Sequence, residues 1–78
     1  MSKSPLKNIP LKTFRDYLKH MGLESVRTKG SHEIWRGCGL RRSIVLPTNK
    51  NPVKEGVVRS ILMELKVSAD SYIEFLKS

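Results

Sequence analysis

His32 stands directly after Gly30-Ser31, with Arg27, Lys29 and Arg36 close by in the chain. An imidazole, whose ordinary pKa lies near ~6.5, is the side chain best suited to moving protons at neutral pH. Cations able to hold a phosphate beside it point to phosphodiester chemistry. RNA carries its own nucleophile, the 2′-hydroxyl, so a site acting on it need only transfer protons and stabilise charge on phosphorus. That route requires no cofactor. The same residues also suit a histidine that merely binds phosphate or caps a strand, and on residue types alone both readings stand.

Other chemistries find no support. The sequence has no Gly-rich phosphate loop, no usable pair of carboxylates, no Ser-His-Asp order and no Cys/His group with metal-ligand spacing. The single Cys38 can form no internal disulfide, which favours a reducing compartment. Set between Gly37 and Gly39, it is expected to be exposed, and no adjacent base marks it as a nucleophile. His20 reads as a surface histidine favoured by a helix C-terminus. Trp35 is open to three roles: stacking on a base, packing, or contact with a protein partner.

These residues need elements to position them. Leu11, Phe14, Tyr17, Leu18 and Met21 recur with helical spacing after Pro10, and Gly22 suits the stop. Leu23-Glu-Ser-Val-Arg-Thr-Lys29 is short and β-prone, Gly30-Ser31 closes it, and His32-Glu-Ile-Trp-Arg36 is a second strand. Gly37-Cys-Gly39 provides turn chemistry for a hairpin into a third strand, Arg41 to Leu46. Ile44 and Leu46 are expected to face the core beside Val26 and Ile34, while Arg27 and Lys29 share the opposite face. Pro47 to Pro52 is a polar loop. A second amphipathic helix runs from about Lys54 to Leu65, with Glu55 and Arg59 as an i,i+4 pair, and Gly56 allows close packing or backbone approach. Ser68 caps a short last helix, Ala69 to Lys77.

The fold class is therefore α+β, a two-layer α-β-β-β-α domain with a three-stranded antiparallel sheet and a short extra C-terminal helix. Residues 1–9 are expected to be a flexible lead-in and residues 10–78 a single domain. A length of 78 residues leaves no room for a second domain or for folds built from several βαβ units.

Charge narrows the partners. Lys and Arg number 15 against 7 Asp and Glu, a net charge of +8, made up of +9 over residues 1–59 and −1 over residues 60–78. A one-sided basic field points to a phosphate-bearing partner or to an acidic protein. The uncovered sheet face and its loops are expected to hold Arg27, Lys29, Arg36, Arg41, Arg42 and Lys50. No apolar run reaches signal-peptide or membrane-span length, so a soluble cytoplasmic protein with no membrane association is expected.

Val26-Arg-Thr-Lys-Gly-Ser-His32, Ile34-Trp35, Val45-Leu-Pro47 and Gly56-Val-Val-Arg-Ser-Ile-Leu62 together resemble the HicA-type toxin family. Tyr72-Ile-Glu-Phe-Leu76 is similar to the tail of its longer members. The segments fall in the family's order over roughly residues 10–76. The resemblance implies a fold like the double-stranded-RNA-binding domain and a toxin that cleaves messenger RNA. It also implies an acidic HicB-like antitoxin that covers the His32 site, with His32 as the catalytic residue. Where many relatives carry a second histidine this chain has Glu33, which strand alternation places opposite His32.

The reading that follows is a metal-independent endoribonuclease with no cofactor. His32 would be catalytic, with Arg27, Lys29, Gly30, Ser31, Arg36, Arg41, Arg42 and Lys50 binding RNA. Its rivals are a non-catalytic RNA-binding module with a basic sheet surface and a protein-interaction domain for an acidic partner.

Overall fold

The computed structural model describes residues 6–37 and 39–77. The lead-in ends in helix α1, Leu11–His20, whose Leu11, Phe14, Tyr17 and Leu18 are buried as their spacing predicts. Pro10 is the residue just before the helix and has no side-chain oxygen to cap it. Asn51 does so from the far loop, its Oδ1 accepting the Leu11 N–H at 3.1 Å.

Strand β1, Leu23–Lys29, pairs antiparallel with β2, His32–Gly37, which pairs antiparallel with β3, Ile44–Pro47. The sheet order is β1-β2-β3. Helix α2, Glu55–Glu64, packs against β3, while α1 packs against β1. Helix α3, Ala69–Lys77, closes the chain. The order is the expected one, a helix, a three-stranded antiparallel sheet and two further helices.

The core lies between the helices and one face of the sheet. Leu23, Trp35, Ile44 and Leu46 from the strands meet Phe14, Tyr17 and Leu18 of α1 and Val58, Ile61 and Leu62 of α2. Helix α3 adds Tyr72, edge-on to Tyr17 at 5.0 Å between ring centroids, and the Tyr17 hydroxyl shares a 2.8 Å hydrogen bond with Ser71 Oγ. Edge-to-face rings place positive edge against negative face, so these contacts add to the area they bury. Burial, with Tyr17 close by, pushes the Tyr72 phenol up to about 12.

Four expectations are corrected. Val26 is 47% exposed, not in the core. Ser25 pairs with Trp35 but Arg27 with Ile34, so Val26 is the extra residue of a β-bulge and the inside–outside alternation shifts there. Trp35 takes the core position instead and Ile34 lies on the outer face only partly buried. The third strand starts at Ile44 and leaves Arg41 and Arg42 in the connection. The β2–β3 pairing ends at Trp35 with Ile44, so Arg36 and Gly37, though still in β2, have no partner on β3. Finally, Leu6 and Ile9 of the supposed lead-in are core residues. Ile9 forms a bridge to Val53, whose N–H donates to the Ile9 carbonyl at 2.8 Å. Residues 1–5, Cys38 and Ser78 lie outside the described residues.

Of the glycines at positive φ, Gly37 alone has no room for a side chain. A Cβ there would sit 2.5 Å from the Gly22 carbonyl oxygen, so the hairpin and the end of α1 can close together only over glycine. Gly56 is different: a Cβ would meet nothing within 4 Å. Close packing within the chain does not explain it.

Candidate functional site

The site is built on the β1–β2 hairpin. Lys29 and His32 are direct cross-strand partners, so Gly30-Ser31 is a two-residue loop. Gly30 has φ +60 at the first loop position, where a type II′ hairpin needs a glycine. The Ser31 carbonyl accepts the Thr48 N–H at 2.7 Å and ties the hairpin to the segment leaving β3.

This construction sets the neighbours of His32. The side chain is exposed, with Lys29 across on β1 and Pro47 across on β3. Directly opposed residues have Cβ atoms ~4.5–5.5 Å apart and diagonal pairs ~7–8 Å, within reach of long side chains. Lys29 is therefore the adjacent cation. Arg27, opposite Ile34, is the diagonal one.

The other expected contacts fall elsewhere. Arg36 shares the outer face but stands four residues further along β2, or ~13 Å at ~3.3 Å per residue. There it opposes Glu24. Arg41 and Arg42 lie at the same far end of the sheet, where they line a cleft of about 510 Å³ with Leu40, Ile44, Glu64 and Lys66. Lys50 sits at the near end, in a smaller cleft of about 200 Å³ with Pro47, Asn49, Val53, Lys54 and Val57. Lys29 and Lys50 thus stand at the His32 end of the sheet and Arg41 and Arg42 at the far end, while Arg27 is diagonal to His32 and to Arg36 alike.

Arg27, Ile34 and Val45 form one cross-strand row, and Val45 is 47% exposed. Trp35 offers no stacking surface, since only 1% of it is exposed. Its role is packing.

Glu33 points to the opposite face from His32, as alternation requires. Its Oε2 lies 2.6 Å from Arg15 Nη2, and its Oε1 accepts from Arg15 Nε at 3.1 Å and from Trp35 Nε1 at 3.2 Å. A charged fork of this kind fixes α1 against β2 directly beneath the histidine. His20 is exposed with its ring 5.0 Å from Phe75, on α1 rather than in the sheet.

Reasoning from the residues did not single out Lys54 or Lys66. Lys54 lines the same cleft as Lys50 and immediately precedes α2, and that position was the available signal. Among the described residues, no three His, Cys, Asp or Glu side chains gather as metal ligands would. No helix of the described residues is long and apolar enough to cross a membrane.

Comparison with known families finds one model, described as HicA toxin of bacterial toxin-antitoxin, that matches residues 6–67. The match takes in Leu6 and Ile9 as well as every element from α1 through α2, and stops short of α3. Neither the curated proteins nor the solved structures gave a match.

Proposed function

The chain belongs to the HicA toxin family of toxin–antitoxin systems, and from that premise we propose that it is a metal-independent endoribonuclease acting on messenger RNA through His32. The observation that carries this reading is the pairing of His32 with Lys29 across the Gly30-Ser31 hairpin, both side chains exposed on the outer face of the sheet.

Cleavage forms a bond from the ribose 2′-oxygen to phosphorus and breaks the bond from phosphorus to the 5′-oxygen. A proton leaves the 2′-hydroxyl and a proton reaches the departing 5′-oxygen. His32 serves as general base or general acid for one of these transfers. Lys29 and Arg27 balance the charge that gathers on the phosphoryl oxygens, and preorganised cations there cost no rearrangement as the charge develops. Lys50 approaches from the β3 side. Arg36, Arg41 and Arg42, too distant for the reacting phosphate, hold more remote phosphates of the same strand.

An exposed catalytic face must be covered to be silent. The partner is an acidic, HicB-like antitoxin whose charge matches the basic surface and which closes over His32. Because it binds only the folded toxin, it raises the toxin's melting temperature by mass action.

Incubation of the purified protein with single-stranded RNA in EDTA tests the reading. The expected product ends are a 2′,3′-cyclic phosphate, or the 3′-phosphate derived from it, with a free 5′-hydroxyl. Cleavage that needs a divalent ion, or that leaves a 5′-phosphate, overturns the mechanism.

A further inference from the structure

We propose that the cleft at the start of α2 is a subsite for the nucleotide adjoining the cut, with Asn49 as the residue that discriminates its base. The proposal rests on the endoribonuclease reading above.

Pro47 is both a wall of this cleft and the cross-strand partner of His32. The Thr48 N–H to Ser31 carbonyl bond clamps the cleft's loop to the turn that carries the histidine. Whatever lies in the cleft is therefore held in fixed relation to the reacting phosphate.

Pro47, Val53 and Val57 make an apolar floor, and the exposed Lys50 and Lys54 supply two cations. A floor for a flat base beside charges for its phosphate is the composition a nucleotide requires. At about 200 Å³ the space is below the ~300–1,000 Å³ of drug-sized pockets and suits one base. Asn49 brings an amide with a donor and an acceptor side by side, able to distinguish base edges.

Trp35, Tyr17, Tyr72 and Phe14 are all buried, and the partly buried Phe75 is on α3, so the described sheet face offers no aromatic platform for a base. The larger cleft lies at the other end of β3, three residues or ~10 Å from Pro47, where it can meet only nucleotides further along the strand.

Two measurements test this on the full chain. In the first, the wild type cleaves a randomised RNA pool and the products are sequenced. A base preference is expected at one nucleotide next to the cut, and Asn49→Ala is expected to flatten it by about five- to tenfold. In the second, His32→Ala binds oligonucleotides carrying one abasic ribose at successive positions. One position is expected to weaken binding by about five- to tenfold, and that sensitivity is lost in Lys50→Ala/Lys54→Ala and in Val57→Trp, which fills the cleft. The exposed lysine pair keeps the test decisive if Val57→Trp fails to fold. Cleavage with an unchanged preference in Asn49→Ala, together with unchanged abasic sensitivity in the lysine variant, overturns the subsite and leaves the nuclease standing. Absence of cleavage overturns the nuclease, while abasic sensitivity lost in the lysine variant still supports the subsite as an RNA-binding cleft.

Discussion

Glu33 follows His32 in the chain yet serves the other side of the sheet, where Arg15 of α1 grips its carboxylate at 2.6 Å. The neighbour of the candidate catalytic residue is thus a structural anchor. It satisfies the indole N–H of the buried Trp35 and joins the first helix to the central strand.

Glu33→Ala should therefore destabilise the fold. It strands the Trp35 N–H away from water and leaves Arg15 unpaired, a cost of about 1–3 kcal/mol. Glu33→Gln, whose amide oxygen still accepts hydrogen bonds, should lose less. Urea or thermal denaturation of the two variants checks the order, and equal loss in both would show that charge rather than hydrogen bonding is what counts.

The glycines give a contrast in sign. Gly37→Ala forces a Cβ against the Gly22 carbonyl in a left-handed region, where backbone strain alone costs about 1–3 kcal/mol. Gly56→Ala meets no atom and gains helix propensity, so it should stabilise by about 0.5 kcal/mol. Melting temperatures should move in opposite directions.

Alkaline stability should fall between pH 10 and about 12. Tyr72 ionises at 10.0 when unfolded and near 12 when folded, so across this range the unfolded state loses a proton that the native state keeps. Its contribution is complete below pH 10 and disappears as the pH rises through the folded value. Denaturant titrations at intervals through this range measure it, and Tyr72→Phe should flatten the decline.

RNA binding should separate the cations at the two ends of the sheet. Binding to long RNA should weaken with salt by about 0.7 in log affinity per log salt for each neutralised phosphate. Lys29→Ala should weaken binding to a dinucleotide and to long RNA alike. Arg41→Ala and Arg42→Ala should weaken only the longer strand, because their cleft lies at the far end of the sheet. Filter binding across a salt series reads both effects.

The helices were legible because Leu11, Phe14, Tyr17 and Leu18, like Val58, Ile61 and Leu62, repeat with the period of a single helical face. The place of His32 in the fold was legible for a similar reason. The residue begins a strand directly after a glycine turn, and alternation puts Glu33 on the other side. Pairing, by contrast, is a property of two strands at once. Nothing in β1 alone marks Val26 as the bulged residue, and so the exchange of Val26 and Ile34 for Trp35 in the core was hidden. Leu6 and Ile9 were hidden too, broken up by Lys7, Asn8 and Pro10 and buried through a bridge to Val53 far along the chain. Proximity in sequence misled for Arg36, which lies four residues from His32 but ~13 Å away because an extended strand separates them.

Single-turnover cleavage of one defined RNA by wild type and His32→Ala tests the central claim most directly. Loss of a general acid or base is expected to slow cleavage by about 10²–10⁴-fold. The exposed position of His32 should leave the melting temperature unchanged, and the cations that remain should keep RNA affinity within a few fold. A folded His32→Ala protein that cleaves at the wild-type rate would contradict the assignment and leave the histidine a phosphate-binding or structural residue.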